Sequence, residues 1–401
     1  MSHLDTLSVH AGREDFSRLG VHAPPIDLST TYPTPDLGIG TASFDALVAG
    51  EASAANPIYA RLHNPTVARV ESAIAQLEGM DACVAYGSGM AALTAVLLDA
   101  KSRGNHVLAV RPLYGTADHL LASGLCGLET EFVAADDIAA KLRPDTALVI
   151  IETPANPTLQ LVDIAAVVAA AGSVPVLVDS SFAPACIQRP AEHGAAYVLH
   201  SATKFLSGHG DVIAGVVSCS EARAKPLRTV RAATGALLHP LAAYLLHRGL
   251  ATLNLRVERA QANAQTIAER LAAHPAVAAV HFPLLHDGAQ AAIYRKQMRG
   301  PGALLAFELA QGYAGAAAML AAVRLCTPAV SLGSVDTLIQ HPAGLTHRVV
   351  SEAARAQHGI GPGLIRLSVG IEHVEDIWAD LARALNAAVS AGTAPRALAS
   401  A

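Results

Sequence analysis

The sequence predicts an α/β protein: a large, mostly parallel sheet in a central domain, followed by a smaller C-terminal α/β unit. Short apolar runs alternate with helix-period segments between residues 67 and 217, the pattern of a parallel sheet covered by helices on both faces. A helix-rich stretch, 241–273, then precedes a second set of strand-like runs. The length of 401 residues, 52% hydrophobic and 15% charged, suits two or three domains at roughly 100–200 residues each. A disordered chain would need more charge and fewer apolar groups.

Residues 1–60 hold Pro24, Pro25, Pro33, Pro35 and Pro57 among few periodic stretches and read as an extended arm. Val67, Val70, Ile74 and Leu77 recur at three- and four-residue steps and predict a helix over Val67–Leu77. Strands are expected at Cys83–Tyr86, His106–Val110, Ala147–Ile151, Pro175–Val178, Tyr197–Leu199 and Val212–Val217. Helices at Met90–Leu98, Ala117–Ser123 and Ile164–Ala171 lie between them. Leu241–Ala273 reads as long helical material with little turn punctuation. Strand-like Ala303–Leu309 and Leu364–Val369 and a closing helix, Val374–Val389, form the last unit, and residues 391–401 read as a frayed tail. The expected divisions are an arm at 1–60, a central domain at 61–252 and a C-terminal domain at 253–401.

Several function classes are excluded at this level. Twenty-eight basic against 33 acidic residues, a net charge of −5, leave no basic footprint for nucleic acid and no polybasic membrane patch. The start, MSHLDTLSVHAGRED, has no apolar core of a signal peptide. The longest uncharged runs, Ala82–Leu98 and Ile164–Val178, are too short and too broken by Gly and Ser to span a bilayer. Cys83, Cys126, Cys186, Cys219 and Cys326 are scattered without a CxxC pair, so reduced thiols in the cytoplasm are expected and no metal site is. No internal repeat is present.

Four local features carry chemistry. Ser201-Ala202-Thr203-Lys204 follows the apolar run Tyr197–Leu199. Such a lysine is either a surface-turn residue or a buried amine. Burial would lower its pKa and make it a nucleophile toward an aldehyde. The two hydroxyls beside it suit a phosphate. The same string fits the S-x-x-K acyl-transfer signature, but its S-D-N and K-T-G companions do not occur. Asp179 ends the apolar Val176-Leu177-Val178, where a carboxylate can be a helix cap or can pair with a protonated pyridine nitrogen. Tyr86-Gly87-Ser88-Gly89-Met90-Ala91-Ala92 is a strand–turn–helix junction whose amides suit a phosphate. It is not a dinucleotide fingerprint, because position 92 is alanine. Tyr114, in Pro112-Leu113-Tyr114-Gly115, is a packing residue or a ring that stacks on a flat ligand. A planar, phosphorylated aldehyde satisfies all four, and pyridoxal 5′-phosphate (PLP) is such a ligand.

With these residues in view, the chain resembles the Cys/Met-metabolism (trans-sulfuration) family of PLP-dependent enzymes, which includes cystathionine γ-lyase, cystathionine β-lyase, cystathionine γ-synthase and methionine γ-lyase. The resemblance covers nearly the whole chain. It rests on Ser201–Lys204 with Gly208-His209-Gly210-Asp211, on Tyr59-Ala60-Arg61 before Asn64-Pro65-Thr66, on Ser331-Leu332-Gly333, His341-Pro342-Ala343 and Thr346-His347, and on the run Gly363–Gly370.

The resemblance implies the fold type I architecture of PLP-dependent transferases, with a seven-stranded, mostly parallel sheet. It implies that Lys204 bonds the cofactor and shuttles protons, Asp179 pairs with the pyridine nitrogen and Tyr114 stacks on the ring and protonates the departing sulfur. Gly89, Met90, Ser201 and Thr203 would hold the phosphate, and Tyr59 and Arg61 would reach the phosphate of the neighbouring subunit. That last role implies a homodimer, assembled as a dimer of dimers. Arg366 would clamp the substrate carboxylate with Ser331 and Asn156 assisting. The expected activity is a carbon–sulfur lyase on cystathionine, homocysteine, methionine or cysteine, releasing a thiol, ammonia and a 2-oxo acid, with γ-elimination favoured. The alternatives are γ-replacement on an activated homoserine, a cystathionine β-lyase, and a non-catalytic PLP-binding protein. A nicotinamide oxidoreductase lacks its fingerprint.

The chain departs from its relatives' patterns at a few positions. Val330 stands where cystathionine enzymes usually carry glutamate, and Val330-Ser331-Leu332 is most similar to the methionine γ-lyase pattern. Thr116 replaces that enzyme's cysteine, Arg231-Ala232 its Lys-Asp pair, and Ser180-Ser181 the usual Asn-Thr after Asp179. His200 and His209 are expected to be structural.

Overall fold

The computed structural model describes residues 3–393; the expected frayed tail lies, from residue 394 on, outside the described residues. Seven strands form the first sheet: β1 (Ala82–Tyr86), β2 (His106–Val110), β3 (Glu129–Val133), β4 (Thr146–Glu152), β5 (Val176–Asp179), β6 (Tyr197–His200) and β7 (Gly215–Cys219). Their order is β1-β7-β6-β5-β4-β2-β3. From β6 to β3 every pairing is parallel, and β7 alone runs against its neighbours β1 and β6. The sheet is therefore mostly parallel and seven-stranded, as expected.

Continuous apolar strands arise because both faces are covered. Val107, Ala109, Leu148 and Ile150 pack on one face with the helix Gly89–Ala100, while Leu108, Val110, Val149 and Ile151 pack on the other with the helix Ile164–Ala171. Successive residues point to opposite faces, so alternation of polarity disappears where both faces are dry. Burial of each such side chain contributes roughly 1.5–3 kcal/mol.

The second sheet holds β8 (Val277–His281), β9 (Leu304–Leu309), β10 (Thr327–Pro328), β11 (Leu338–Gln340) and β12 (Leu364–Ser368), in the order β10-β11-β12-β9-β8. Its core includes Ile267, Leu271, Phe307, Met319, Ile365 and Leu381, contributed by the sheet and the helices Leu253–Ala272, Gly312–Ala322 and Val374–Thr393.

Several expectations need correction. The last strand of the first sheet is Gly215–Cys219, not Val212–Val217, because Ala214 is held in the preceding loop by two hydrogen bonds with the Thr203 hydroxyl. The material at 241–273 is two helices, Pro240–Leu250 and Leu253–Ala272. The first 60 residues are less extended than their prolines imply, with helices at Leu4–His10, Phe16–Leu19 and Leu37–Val48. The third is started by Asp36, whose side chain accepts from the Ile39 amide at 2.8 Å. Among the described residues no helix is long and apolar enough to cross a membrane.

Candidate active site

The carboxyl ends of β4, β5 and β6 bring Glu152, Asp179 and His200 side by side; Glu152 and Asp179 are paired in register, and Asp179 pairs with Leu199. Beyond β6 the chain turns through Ser201–Lys204 before reversing into β7. The lysine thus stands at the sheet edge where ligands of open α/β sheets bind.

Lys204 Nζ donates to Ser331 Oγ at 2.7 Å. Burial, helped by the Arg366 charge and opposed by Asp179, pushes its pKa down to about 8. Roughly a tenth of such an amine is unprotonated at pH 7, against a few parts in ten thousand for an ordinary lysine. Among the other lysines, Lys141, Lys225 and Lys296 sit on the carboxylates of Glu131, Glu51 and Asp163. Protein freed of cofactor and treated with an aldehyde and borohydride at pH 7 should therefore be labelled at Lys204 first. Peptide mapping checks this, and even labelling of all lysines would contradict it.

The start of the helix Gly89–Ala100 lies against the lysine loop. Ser88, with an extended backbone, caps it through Oγ to the Ala91 amide at 3.0 Å. The Gly89 and Met90 amides are left with no carbonyl within the helix to bond. A Cβ on Gly89 would lie 3.0 Å from Ser201 Cβ, so glycine is what lets the helix start approach the lysine loop. Gly89, Met90 and Ser201 thus meet at one place. Thr203 is differently engaged: its hydroxyl donates to the Ala214 carbonyl at 3.1 Å and accepts from the Ala214 amide at 3.0 Å.

Arg366 projects from β12 and is 2% exposed. Its Nη1 donates to Asn156 Oδ1 at 3.0 Å and its Nη2 to the Ser331 carbonyl at 2.7 Å. Phe182 lies beneath it, ring centre 5.9 Å away, and Gln340, its partner on β11, completes the surround. Burial pushes its pKa down to about 10, against the pull of Glu152, so the charge persists at neutral pH. Its hydrogen-bond partners among the described residues are neutral. Ser331 meets it from a left-handed backbone, φ +87°, a conformation that costs a non-glycine residue about 1–3 kcal/mol. Gly333, two residues on, lies so close to the lysine loop that a Cβ there would come within 2.6 Å of the Phe205 amide nitrogen.

Glu152, which sequence reasoning passed over, organises the remaining side. One oxygen accepts from the Tyr114 amide at 2.6 Å and the other from the Asn156 amide at 2.8 Å. Burial and the neighbouring Asp179 carboxylate raise its pKa. Burial also raises that of Asp179, whose Oδ1 accepts from the Ser181 amide at 3.0 Å. Tyr114 is 38% exposed and leads into the helix Gly115–Ser123. Tyr59 and Arg61 are engaged with other groups: Arg61 lies over the Tyr59 ring and donates to the Ala232 carbonyl at 2.7 Å, and Tyr59 is 43% exposed. Arg231 is buried against Glu71 and the Ala85 carbonyl behind β1. His209 bonds the Ser207 carbonyl within its own turn, at 2.6 Å. A cavity of about 620 Å³ lined by Asp15, Arg18, Asp27, Thr66 and Arg69 among others shares no residue with this cluster.

A sequence profile described as "Cys/Met metabolism PLP-dependent enzyme" matches residues 5–386. The chain belongs to this family. An L-methionine gamma-lyase of Streptomyces avermitilis is 56% identical over 384 residues, covering 95% of this chain and 89% of that protein. Among solved structures, the cystathionine gamma lyase CalE6 of Micromonospora echinospora aligns with a TM-score of 0.87 at 37% identity, over 96% of this chain and 100% of that one. The cystathionine gamma synthase of Xanthomonas oryzae pv. oryzae, solved with cystathionine, aligns with a TM-score of 0.89 at 33% identity, over 98% and 100%. As a member of the Cys/Met-metabolism family the protein is PLP-dependent, and its fold is type I.

The residues present fit that cofactor. A glycine-tight helix start faces Ser201, an amine of depressed pKa stands beyond it, and a partly buried carboxylate, Asp179, ends the strand between them and Glu152. Bound PLP supplies an aldehyde for the amine and a cationic ring that takes up the electron pair left at Cα.

Proposed function

We infer that this chain is a PLP-dependent carbon–sulfur lyase of sulfur amino acids, working by γ-elimination, with methionine its foremost substrate. The observation that carries the reading is Arg366: a buried guanidinium with neutral hydrogen-bond partners, one residue's reach from the Ser331 that holds Lys204. A buried cation of this kind calls for an anion, and a substrate α-carboxylate supplies one with fork geometry. Asn156 and the Ser331 carbonyl then orient the guanidinium.

In this scheme Lys204 takes the Cα proton and returns protons along the same face. Tyr114, held at its amide by Glu152, donates to the departing sulfur. Asp179 holds the ring nitrogen, and Gly89, Met90 and Ser201 hold the phosphate, with Thr203 bracing the loop. The products are a thiol, ammonia and a 2-oxo acid. Val330 is apolar and 53% exposed, and offers nothing to a distal ammonium. That favours the methyl thioether of methionine over cystathionine, and the 56% identity to a methionine gamma-lyase supports the same choice.

Tyr59 and Arg61, exposed on their own chain, serve the phosphate of a second subunit, in a dimer of dimers. The arm 1–60, the PLP-binding domain 61–252 and the C-terminal domain 253–401 are the working divisions. Five unpaired cysteines support a reducing compartment, the cytoplasm.

The test is product identification. Purified protein given L-methionine should release methanethiol and 2-oxobutanoate, and given L-cystathionine should release cysteine and 2-oxobutanoate more slowly. Pyruvate and homocysteine from cystathionine would overturn γ-elimination. Cystathionine formed from cysteine and an activated homoserine, with little oxo acid, would replace the lyase by a synthase.

A further inference from the structure

His200 and Glu78 form a buried pair that the chemistry above does not use. His200 Nε2 and Glu78 Oε1 are 2.8 Å apart, with side chains 2% and 1% exposed. Glu78 closes the helix Pro65–Glu78 and His200 closes β6. Stability alone explains such a pair poorly. Taking both groups out of water costs several kcal/mol per ion, and apolar residues of similar volume commonly do as well. The second oxygen of Glu78 is also buried without a hydrogen-bond partner, which an ion pair selected for stability would avoid.

Position supplies another reason. At the carboxyl ends of three adjacent strands stand Glu152 on β4, Asp179 on β5 and His200 on β6; Asp179 is in register with Leu199, so His200 lies one residue further along and turns to the other face of the sheet, its ring reaching the Ser180 backbone. Asp179 is partly buried and has the Glu152 carboxylate on one side, and both conditions favour its protonation. Hydrogen bonds from the Ser181 side chain and amide oppose this first, and two cations add to them, His200 and Lys204. Lys204 is consumed as a reagent, so its charge is not a fixed one. His200 is then the fixed cation among these groups. The groups facing it are Glu78 from the helix Pro65–Glu78, and Asp179 and the Ser180 backbone from the end of β5. Cys83 and Cys186, thiols that burial holds neutral, lie near Glu78. Burial alone would lower the pKa of His200, yet Glu78 and Asp179 together raise it above the ordinary value.

We propose that His200, clamped by Glu78, is a positioning residue whose fixed positive charge keeps Asp179 ionised and so keeps the pyridine nitrogen of bound PLP protonated. The proposal rests on the family's cofactor and on Asp179 meeting the ring nitrogen.

The test is nitrogen NMR of the holoenzyme carrying PLP labelled with ¹⁵N in the ring, for wild type, His200→Gln and Glu78→Gln. The wild-type signal should lie in the pyridinium range and move to the neutral-pyridine range in both variants. kcat should fall about tenfold or more, with substrate KM nearly unchanged. Should His200→Gln fail to fold, the near-isosteric Glu78→Gln decides the matter, since it keeps a hydrogen bond and removes the counter-charge. A folded, loaded variant with an unshifted nitrogen signal and only a lower melting temperature would make the pair structural and overturn the proposal, as would a neutral nitrogen in the wild type. Wild-type protein that takes up no PLP would be a different failure, of the cofactor reading itself.

Discussion

Replacement of Lys204 by alanine should reduce turnover by at least about four orders of magnitude, because the nucleophile and the proton carrier are removed together. The visible absorbance of cofactor bonded to the protein should vanish with it. Added PLP should still bind, since the Gly89, Met90 and Ser201 cradle is untouched, but it should come away on dialysis. Absorbance spectra before and after dialysis, with oxo-acid release as the rate assay, check this. Turnover near the wild-type level would refute the assignment of Lys204 as both anchor and base.

Arg366→Leu should separate activity from stability. The loss of the carboxylate clamp should lower kcat/KM by roughly 10²–10⁴, the equivalent of about 3–5 kcal/mol. Most of it should appear in KM, because a carboxylate is held alike in the ground and transition states. The melting temperature should not fall and is expected to rise, because a buried guanidinium bonded to neutral partners is replaced by a side chain that needs no solvation. Arg366→Lys should not restore activity, since an ammonium lacks the planar fork. Steady-state kinetics with thermal melts decide it. Lost activity together with a large loss of stability would show that Arg366 is a structural residue.

Much of this site was legible because its residues break local rules. Lys204 and Asp179 are charges at or just beyond the ends of apolar strands. Each is costly unless something uses it. Glu152 ends Val149-Ile150-Ile151 with the same signal as Asp179, a carboxylate closing an apolar strand. The pairing of His200 with Glu78 joins positions 122 residues apart, which no local pattern announces. The family resemblance supplied Arg366, Asn156 and Ser331 and chose between the two readings of Tyr114, but the tie from Glu152 to the Tyr114 and Asn156 amides exists only in three dimensions.

The fold was legible where burial is two-sided and obscure where it is not. Glu129–Val133 is an edge strand, partly exposed, so polar residues interrupt it. Glu221–Thr234 carries Pro226 inside a highly polar helix. Leu37–Val48 includes Gly38 and Gly40, residues that argue against a helix unless capped. The strands Thr327–Pro328 and Leu338–Gln340 are too short to have a period of their own; the second forms on the edge that β12 offers, and the first on the edge of the second.

The bond from Arg366 to Asn156 spans 210 residues of chain, and that from Lys204 to Ser331 spans 127. Contacts of such long range form late, after the entropy of closing large loops has been overcome. On the ribosome the first sheet is complete once Cys219 has emerged, while the guanidinium still awaits synthesis in β12. A nascent chain therefore carries Lys204 well before Ser331 and Arg366. The hydrogen bonds that join them can close only after the second sheet has been made.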